Sequence, residues 1–399
     1  MRKKRLLFVI NTLGRAGAEN ALLELLRRID KERYEVSLYV LTGQGEMIDK
    51  LPTGVKLLNK SFNPSSVLTG EGRKYLLETV LKASVRRGTI LKDLPYMIKN
   101  GLEMLKRGKV LPEKLLWRVI SDGALRSKKT YDLAVAYIEG AAAYYVCDHV
   151  KARKKAAFIH IDYTEAGYTR SLDKDCYLKF DRIFGVSDEV ADVFKKVYPE
   201  LEDKTGVFHN LLDINGIREK AELGEGFTDG FDGIRLLTIG RLVAQKAFQV
   251  SIKACLLLKN SGKKIRWYVL GEGDERKKLE TLIEKLGLKN DFILFGAVDN
   301  PYPYLKQADI YVHCSKFEGK SIAVQEAQIL GKPIVVSDCS GNREQVIDGE
   351  DGVICDFNQR SIAKAVDGLI RNKEKRDFLA KNALKRNETE DSLEKLLKI

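Results

Sequence analysis

At 399 residues the chain is too long for one compact core and predicts two domains of ordinary size. A hydrophobic content of 44% with only 8 Pro excludes a disordered or collagen-like polymer, and no apolar run reaches the roughly 18 residues that a spanning helix needs. The net charge of +13 points to an anionic partner without naming it.

The N-terminal MRKKRLLFVINTLGRAG has a basic head but reads straight into a strand and a helix, so a soluble, uncleaved, cytoplasmic chain is expected. Strand-like runs follow at Arg5 to Ile10, Val36 to Leu41, Val55 to Leu58, Leu133 to Ile138, Ala156 to Ile161 and Arg182 to Val186, with a last one ending in GVFHN at Asn210. The stretch 211–233 then turns rich in Gly and acids and reads as a linker. A second series begins at once: Arg235 to Ile239, Ile265 to Leu270, Phe292 to Phe295, Ile310 to Val312, Pro333 to Ser337 and Gly352 to Cys355. Helical patterns at Asp274 to Leu286 and Ser321 to Leu330 separate them. Strands alternating with helices predict an α/β fold of two doubly wound, Rossmann-like domains facing a cleft, with ligands at the carboxyl ends of the strands. The expected divisions are 1–211, 212–380 and a helical tail at 381–399.

Between residues 68 and 127 the strand signal vanishes and apolar residues such as Leu76, Leu77, Val80 and Leu81 recur at helical spacing, which predicts a helical, amphipathic insertion in the N-terminal domain. From Arg73 to Lys129 there are fifteen Lys and Arg against five Asp and Glu, a net of +10, while the rest of the chain is nearly balanced. No zinc finger, RNP-like strand or KH loop accompanies this charge, so nucleic acid is not the expected partner. An ordinary solvated face, an anionic membrane surface or a phosphate-bearing, lipid-linked acceptor all fit. Six cysteines without a C-x-x-C pair read as free thiols, and four histidines without paired ligand spacing predict no metal site.

Four short stretches carry candidate chemistry. The first strand ends at Asn11 and enters TLGRAGAEN, where Gly14 and Gly17 precede a helix whose free N–H groups could face an anion. In the second series, GRLVAQK places Gly240, Arg241 and Lys246 just after a strand, two cations suited to a pyrophosphate. YVLGEGDE brings Gly271 and Gly273 to a strand end but has Arg276 where a dinucleotide fingerprint needs its third glycine, which leaves close approach to a base or ribose as their use. SKFEGKSIAVQEAQILGKPIVVSD mimics the end of a phosphate loop at Gly319-Lys320-Ser321, yet Cys314 stands where that motif requires Gly. Its two acids instead fit sugar hydroxyls: Glu318 in the loop, Glu326 on the helix that Gly331 ends. The N–H groups of Gly319 to Ser321 are expected to face the phosphates between those sugars.

GRLVAQK, FEGKSIAVQEAQILGKPIVVSD and GNREQVIDGEDGVI together resemble the C-terminal half of the retaining GT-B glycosyltransferases, family four in the usual sugar-enzyme classification. LGRAGAEN, FIHIDY and VFHN resemble that family's acceptor loop, histidine segment and interdomain turn, while 68–127 resembles nothing in it. The resemblance implies that Arg241 and Lys246 hold the donor diphosphate, Glu326 the nucleotide ribose and Glu318 the donor sugar, with His160 at the reaction centre. It also implies transfer without a metal or cofactor from a nucleoside diphosphate sugar, UDP favoured over GDP, to a saccharide or lipid-linked saccharide in cell-surface polysaccharide or glycolipid synthesis. Asp162 and Asn210 are further candidates in the matching segments. The chain departs from the family with Ala247 in place of Gly, Gln249 in place of an acid, and Lys320 and Ser321 in place of bulky apolar residues. A sugar-nucleotide epimerase or phosphorylase of the same fold, and a non-catalytic basic module that binds nucleic acid, stand as alternatives.

Overall fold

The computed structural model describes residues 2–67, 69–108, 110–386 and 393–399. Leu68 and Lys109 of the expected insertion and residues 387–392 of the expected tail lie outside the described residues. The chain divides into two compact units, Met1–Leu211 with Glu390–Ile399, and Leu212–Thr389.

In the first unit the order is β1 (Lys4–Ile10), α1 (Gly17–Arg28), β2 (Tyr34–Val40), β3 (Val55–Leu57), α2 (Gly70–Val85), α3 (Thr89–Lys106), α4 (Pro112–Gly123), β4 (Thr130–Ala136), α5 (Ala141–His149), β5 (Lys151–Ile159), α6 (Arg170–Asp173), β6 (Arg182–Gly185), α7 (Asp188–Val197) and β7 (Thr205–Val207). The strands form one parallel sheet in the order β3-β2-β1-β4-β5-β6-β7. Parallel strands covered on both faces must be apolar on both, which is why Leu6 to Ile10 is an unbroken buried run. Side-chain caps fix helix starts: Ser187 accepts from the Val190 N–H to open α7.

The second unit holds α8 (Ile214–Ala221), β8 (Ile234–Ile239), α9 (Phe248–Asn260), β9 (Ile265–Leu270), α10 (Arg276–Lys285), β10 (Phe292–Gly296), α11 (Tyr302–Gln307), β11 (Ile310–His313), α12 (Ile322–Ile329), β12 (Ile334–Ser337), α13 (Asn342–Gln345), β13 (Val353–Cys355), α14 (Gln359–Arg371) and α15 (Lys373–Ala383); α16 (Leu393–Leu397) follows in the C-terminal segment. Its parallel sheet runs β10-β9-β8-β11-β12-β13. Alternate residues divide between two cores. Leu236, Trp267 and Ile310 join one cluster, and Leu237, Tyr268 and Tyr311 the other.

The stretch expected as a linker is corrected in its first half. Asp213 accepts from the Gly216 N–H and starts α8, whose buried Ile217 and Ala221 anchor it in the second unit. β5 ends at Ile159, so His160 stands in the following loop and not within the strand. All six cysteines are free.

Candidate active site

In each sheet the strand order reverses beside the first strand, between β1 and β4 and between β8 and β11. Adjacent loops there part in opposite directions, and a crevice opens at the carboxyl ends.

In the second unit this point holds a buried ionic cluster. The loop after β8 carries Lys246, whose Nζ donates to Glu318 Oε1 at 2.5 Å. His313, the last residue of β11, places Nε2 3.1 Å from the same oxygen and 3.2 Å from Lys246 Nζ, and Tyr311 Oη lies 3.3 Å from His313 Nδ1. Ser315 Oγ also donates to Glu318 Oε1. Burial alone would raise the Glu318 pKa, but the Lys246 ammonium and the His313 ring outweigh it and hold the carboxyl well below the usual carboxylate range. The His313 pKa is lowered by burial and then by Lys246, so the ring is neutral at pH 7. Glu318 and Lys246, read from sequence as separate contacts to sugar and diphosphate, are partners in this structure. Arg241, the other cation of that loop, is exposed.

The two loops are tied together by backbone contacts. Lys316 N donates to Gln245 O at 3.0 Å and Gln245 Nε2 to Phe317 O at 2.8 Å. Gly271 and Gly273 answer to the same packing: a Cβ on Gly271 would stand 2.0 Å from Gly240 O, and one on Gly273 2.3 Å from Leu242 O. The 240–242 backbone thus requires glycine at both positions, whatever approaches this strand end.

Glu326 is buried on α12 and accepts from Tyr302 Oη at 2.9 Å. With no cation in contact among the described residues, burial pushes its pKa up to about 7. The N–H of Ser321 does not face outward as expected, because it donates to Gln345 Oε1 at 2.8 Å while Gln345 Nε2 returns a bond to Ser321 O at 2.9 Å. Gly319 O sits against Gly341, where a Cβ would come within 2.0 Å, and Lys320 Nζ lies 3.8 Å from Glu344. Ala247 adopts φ 44°, ψ 44° at the start of α9, the left-handed region that suits glycine.

The first unit carries its own candidates. Asn11 Nδ2 donates to Glu139 O at 3.3 Å and Asn11 Oδ1 accepts from Ala142 N at 2.9 Å, which fixes the ends of β1 and β4 to each other. Gly14 lies in the loop between β1 and α1, and Gly17 opens α1. The His160 N–H donates to Glu139 Oε2 at 3.0 Å. Its ring packs against Tyr137, with Nε2 buried and without a hydrogen-bond partner among the described residues. Burial lowers the His160 pKa to about 4 and raises that of Glu139. Asp162 Oδ1 caps the next turn, accepting from Thr164 N and Glu165 N, and Asn210 Oδ1 is buried without a partner among the described residues.

Sequence reasoning missed His313, Ser315, Tyr302, Gln345 and Glu139. A histidine closing a buried strand five residues before Glu318, and a glutamate before Gly140 at the end of β4, were the available signals. Among the described residues no group of three or more His, Cys, Asp or Glu could hold a metal ion, and no helix is long and apolar enough to cross a membrane.

Two parallel-sheet Rossmann-like units define the GT-B glycosyltransferase fold class, as the sequence led us to expect. Residues 231–386 match the family model described as Glycosyl transferases group 1. An uncharacterized glycosyltransferase of Methanocaldococcus jannaschii is 30% identical over 223 residues, 54% of this chain and 56% of that protein. The N-acetylgalactosamine-N,N'-diacetylbacillosaminyl-diphospho-undecaprenol 4-alpha-N-acetylgalactosaminyltransferase of Campylobacter jejuni is 29% identical over 171 residues, 42% of this chain and 45% of that protein. The chain spans about half the length of the curated relatives it matches. Among solved structures, Anabaena HepE in complex with UDP-glucose superposes with TM-score 0.65 at 15% identity, covering 99% of this chain and 98% of that one.

Proposed function

We propose that the protein is a retaining, metal-independent glycosyltransferase that moves a sugar from a nucleoside diphosphate, UDP before GDP, to a hydroxyl of a saccharide acceptor. The observation that carries this reading is the buried Lys246–His313–Glu318 cluster at the strand-order reversal of the unit whose sequence matches the family model. Arg241 and Lys246 offset the charge of the departing diphosphate, Glu318 accepts from donor-sugar hydroxyls and Glu326 from the ribose. In the retaining step the bond between the anomeric carbon and the diphosphate oxygen breaks, the acceptor oxygen bonds to the same face, and its proton passes to an oxygen of the leaving diphosphate. His160, neutral at pH 7, serves as a hydrogen-bonding group at the transferred sugar and not as a cation.

The acceptor is a lipid-linked saccharide in cell-surface polysaccharide or glycolipid synthesis, and the enzyme works as a peripheral protein on the inner, anionic face of the membrane. The Campylobacter relative, whose name specifies a diphospho-undecaprenol-linked saccharide, supports the acceptor class, and the HepE complex with UDP-glucose supports the donor class. Incubation with labelled UDP- and GDP-sugars plus lipid-linked saccharides tests the reading. Acceptor-dependent product with the donor's anomeric configuration by NMR, unchanged by EDTA, is expected. Inversion removes the retaining mechanism, turnover without acceptor points to an epimerase, and dependence on free phosphate to a phosphorylase.

A further inference from the structure

The helix α3 is built inside out. Its buried residues are Thr89, Asp93, Tyr96, Asn100 and Met104, mostly polar. Its outward face is apolar: Leu91, Leu94, Ile98, Leu102 and Leu105, spaced by three and four residues, are each 45% to 76% exposed. Rolling the helix to hide this stripe would break contacts that pin the inner face. Tyr96 Oη donates to Leu172 O at 2.8 Å, and Asp93 lies 3.8 Å from Lys174 Nζ. On the neighbouring α2, Leu77, Leu81 and Val85 form a second exposed row at four-residue spacing. An apolar stripe of this length on a monomer surface marks an interface.

We propose that α3 lies in the plane of an anionic membrane, with Leu91, Leu94, Ile98, Leu102 and Leu105 entering the acyl boundary. The charge pattern selects lipid over a second copy of this chain. Lys92, Lys99 and Lys106, each seven residues from the next, run along one flank of the stripe; Lys92 donates to Asp122 at 3.1 Å, and Lys99 and Lys106, both exposed, are the two that meet anionic headgroups. The acids of α3 cannot answer them across a dimer, because Asp93 is fully buried and Glu103 is engaged by Arg107 at 2.6 Å. The 18-residue helix offers about 27 Å of such edge. This inference rests on the membrane part of the proposed function and is independent of its sugar chemistry.

The test is co-sedimentation at low salt with vesicles of phosphatidylcholine plus phosphatidylglycerol, and with phosphatidylcholine alone. Wild type pellets with the anionic vesicles. The exposed triple variant Leu91→Ser, Ile98→Ser, Leu105→Ser loses partitioning by at least about tenfold with unchanged thermal unfolding, as expected when several large apolar side chains leave a membrane boundary. Lys99→Gln with Lys106→Gln loses the preference for anionic over neutral lipid. Wild type that ignores both vesicles overturns the membrane part of the proposed function together with this inference. Wild type and triple variant pelleting equally overturn the α3 stripe alone. A wild-type dimer by size exclusion that the triple variant dissolves, without lipid binding, assigns the stripe to a second copy.

Discussion

At the ends of β4 and β5 in the first unit, Glu139 and His160 face each other among aromatic rings, and burial keeps the histidine neutral and pushes the glutamate toward its protonated form. At the ends of β8 and β11 in the second unit, burial is as deep but Lys246 and Glu318 are both charged. The topology at the two reversals is the same. What differs is whether a buried acid is given a cation: Glu318 has Lys246, while Glu139 and Glu326 have none in contact among the described residues. The first arrangement suits hydrogen bonding to uncharged hydroxyls, and the second suits a ligand whose own charge must be met.

Breaking the ionic cluster gives the largest expected effect. Lys246→Met leaves Glu318 as an uncompensated buried charge, which costs about 3–5 kcal/mol in urea unfolding at pH 7. It also lowers turnover of donor by roughly a hundred- to a thousandfold. Arg241→Ala sets the contrast, since an exposed side chain changes stability by no more than about 0.5 kcal/mol. Equal destabilisation by the two variants would contradict the buried-pair account.

Glu326 sharpens the comparison from the other side. Its carboxyl titrates near 7 in the folded chain against an ordinary 4.5, so folding favours the protonated form. The stability it contributes is fully present below pH 4.5 and is lost as pH rises through 7. Glu326→Gln, permanently neutral, therefore gains about 3 kcal/mol over wild type at pH 8 and nothing at pH 4, while binding nucleotide more weakly. Urea melts at both pH values check it. A gain that is the same at both would mean that burial is not the cause.

The fold was legible because parallel strands buried on both faces leave unbroken apolar runs such as LLFVI and IVV. α8 was not, since NGIREKA buries only Ile217 and Ala221 and carries a glycine. The spacing of α3 announced a helix but not which face is inside, because Tyr96 and Met104 recur at the same period as Leu91 and Leu105. Glu318 and Lys246 could be picked from the sequence as candidates but not as a pair: 72 residues separate them, and the adjacency of β8 and β11 joins them. His313, one residue past the strand read as Ile310 to Val312, was not singled out at all.

The smallest effect concerns Ala247. Its left-handed backbone strains a residue with a Cβ, so Ala247→Gly, at the position where the resembled family has glycine, stabilises by about 0.5–1 kcal/mol without changing the cluster. A loss of stability on thermal melting would show that this conformation is not strained.

Calorimetric titration of UDP tests the central claim most directly: that the charged reversal point of the second unit receives a nucleoside diphosphate. The account predicts that wild type binds, that Arg241→Ala weakens binding ten- to a hundredfold, about 1.5–3 kcal/mol, and that Glu318→Gln, which removes the proposed contact to the sugar and keeps a polar partner for Lys246, lowers UDP affinity less than Arg241→Ala does. Undiminished UDP binding by both Arg241→Ala and Lys246→Met would contradict it.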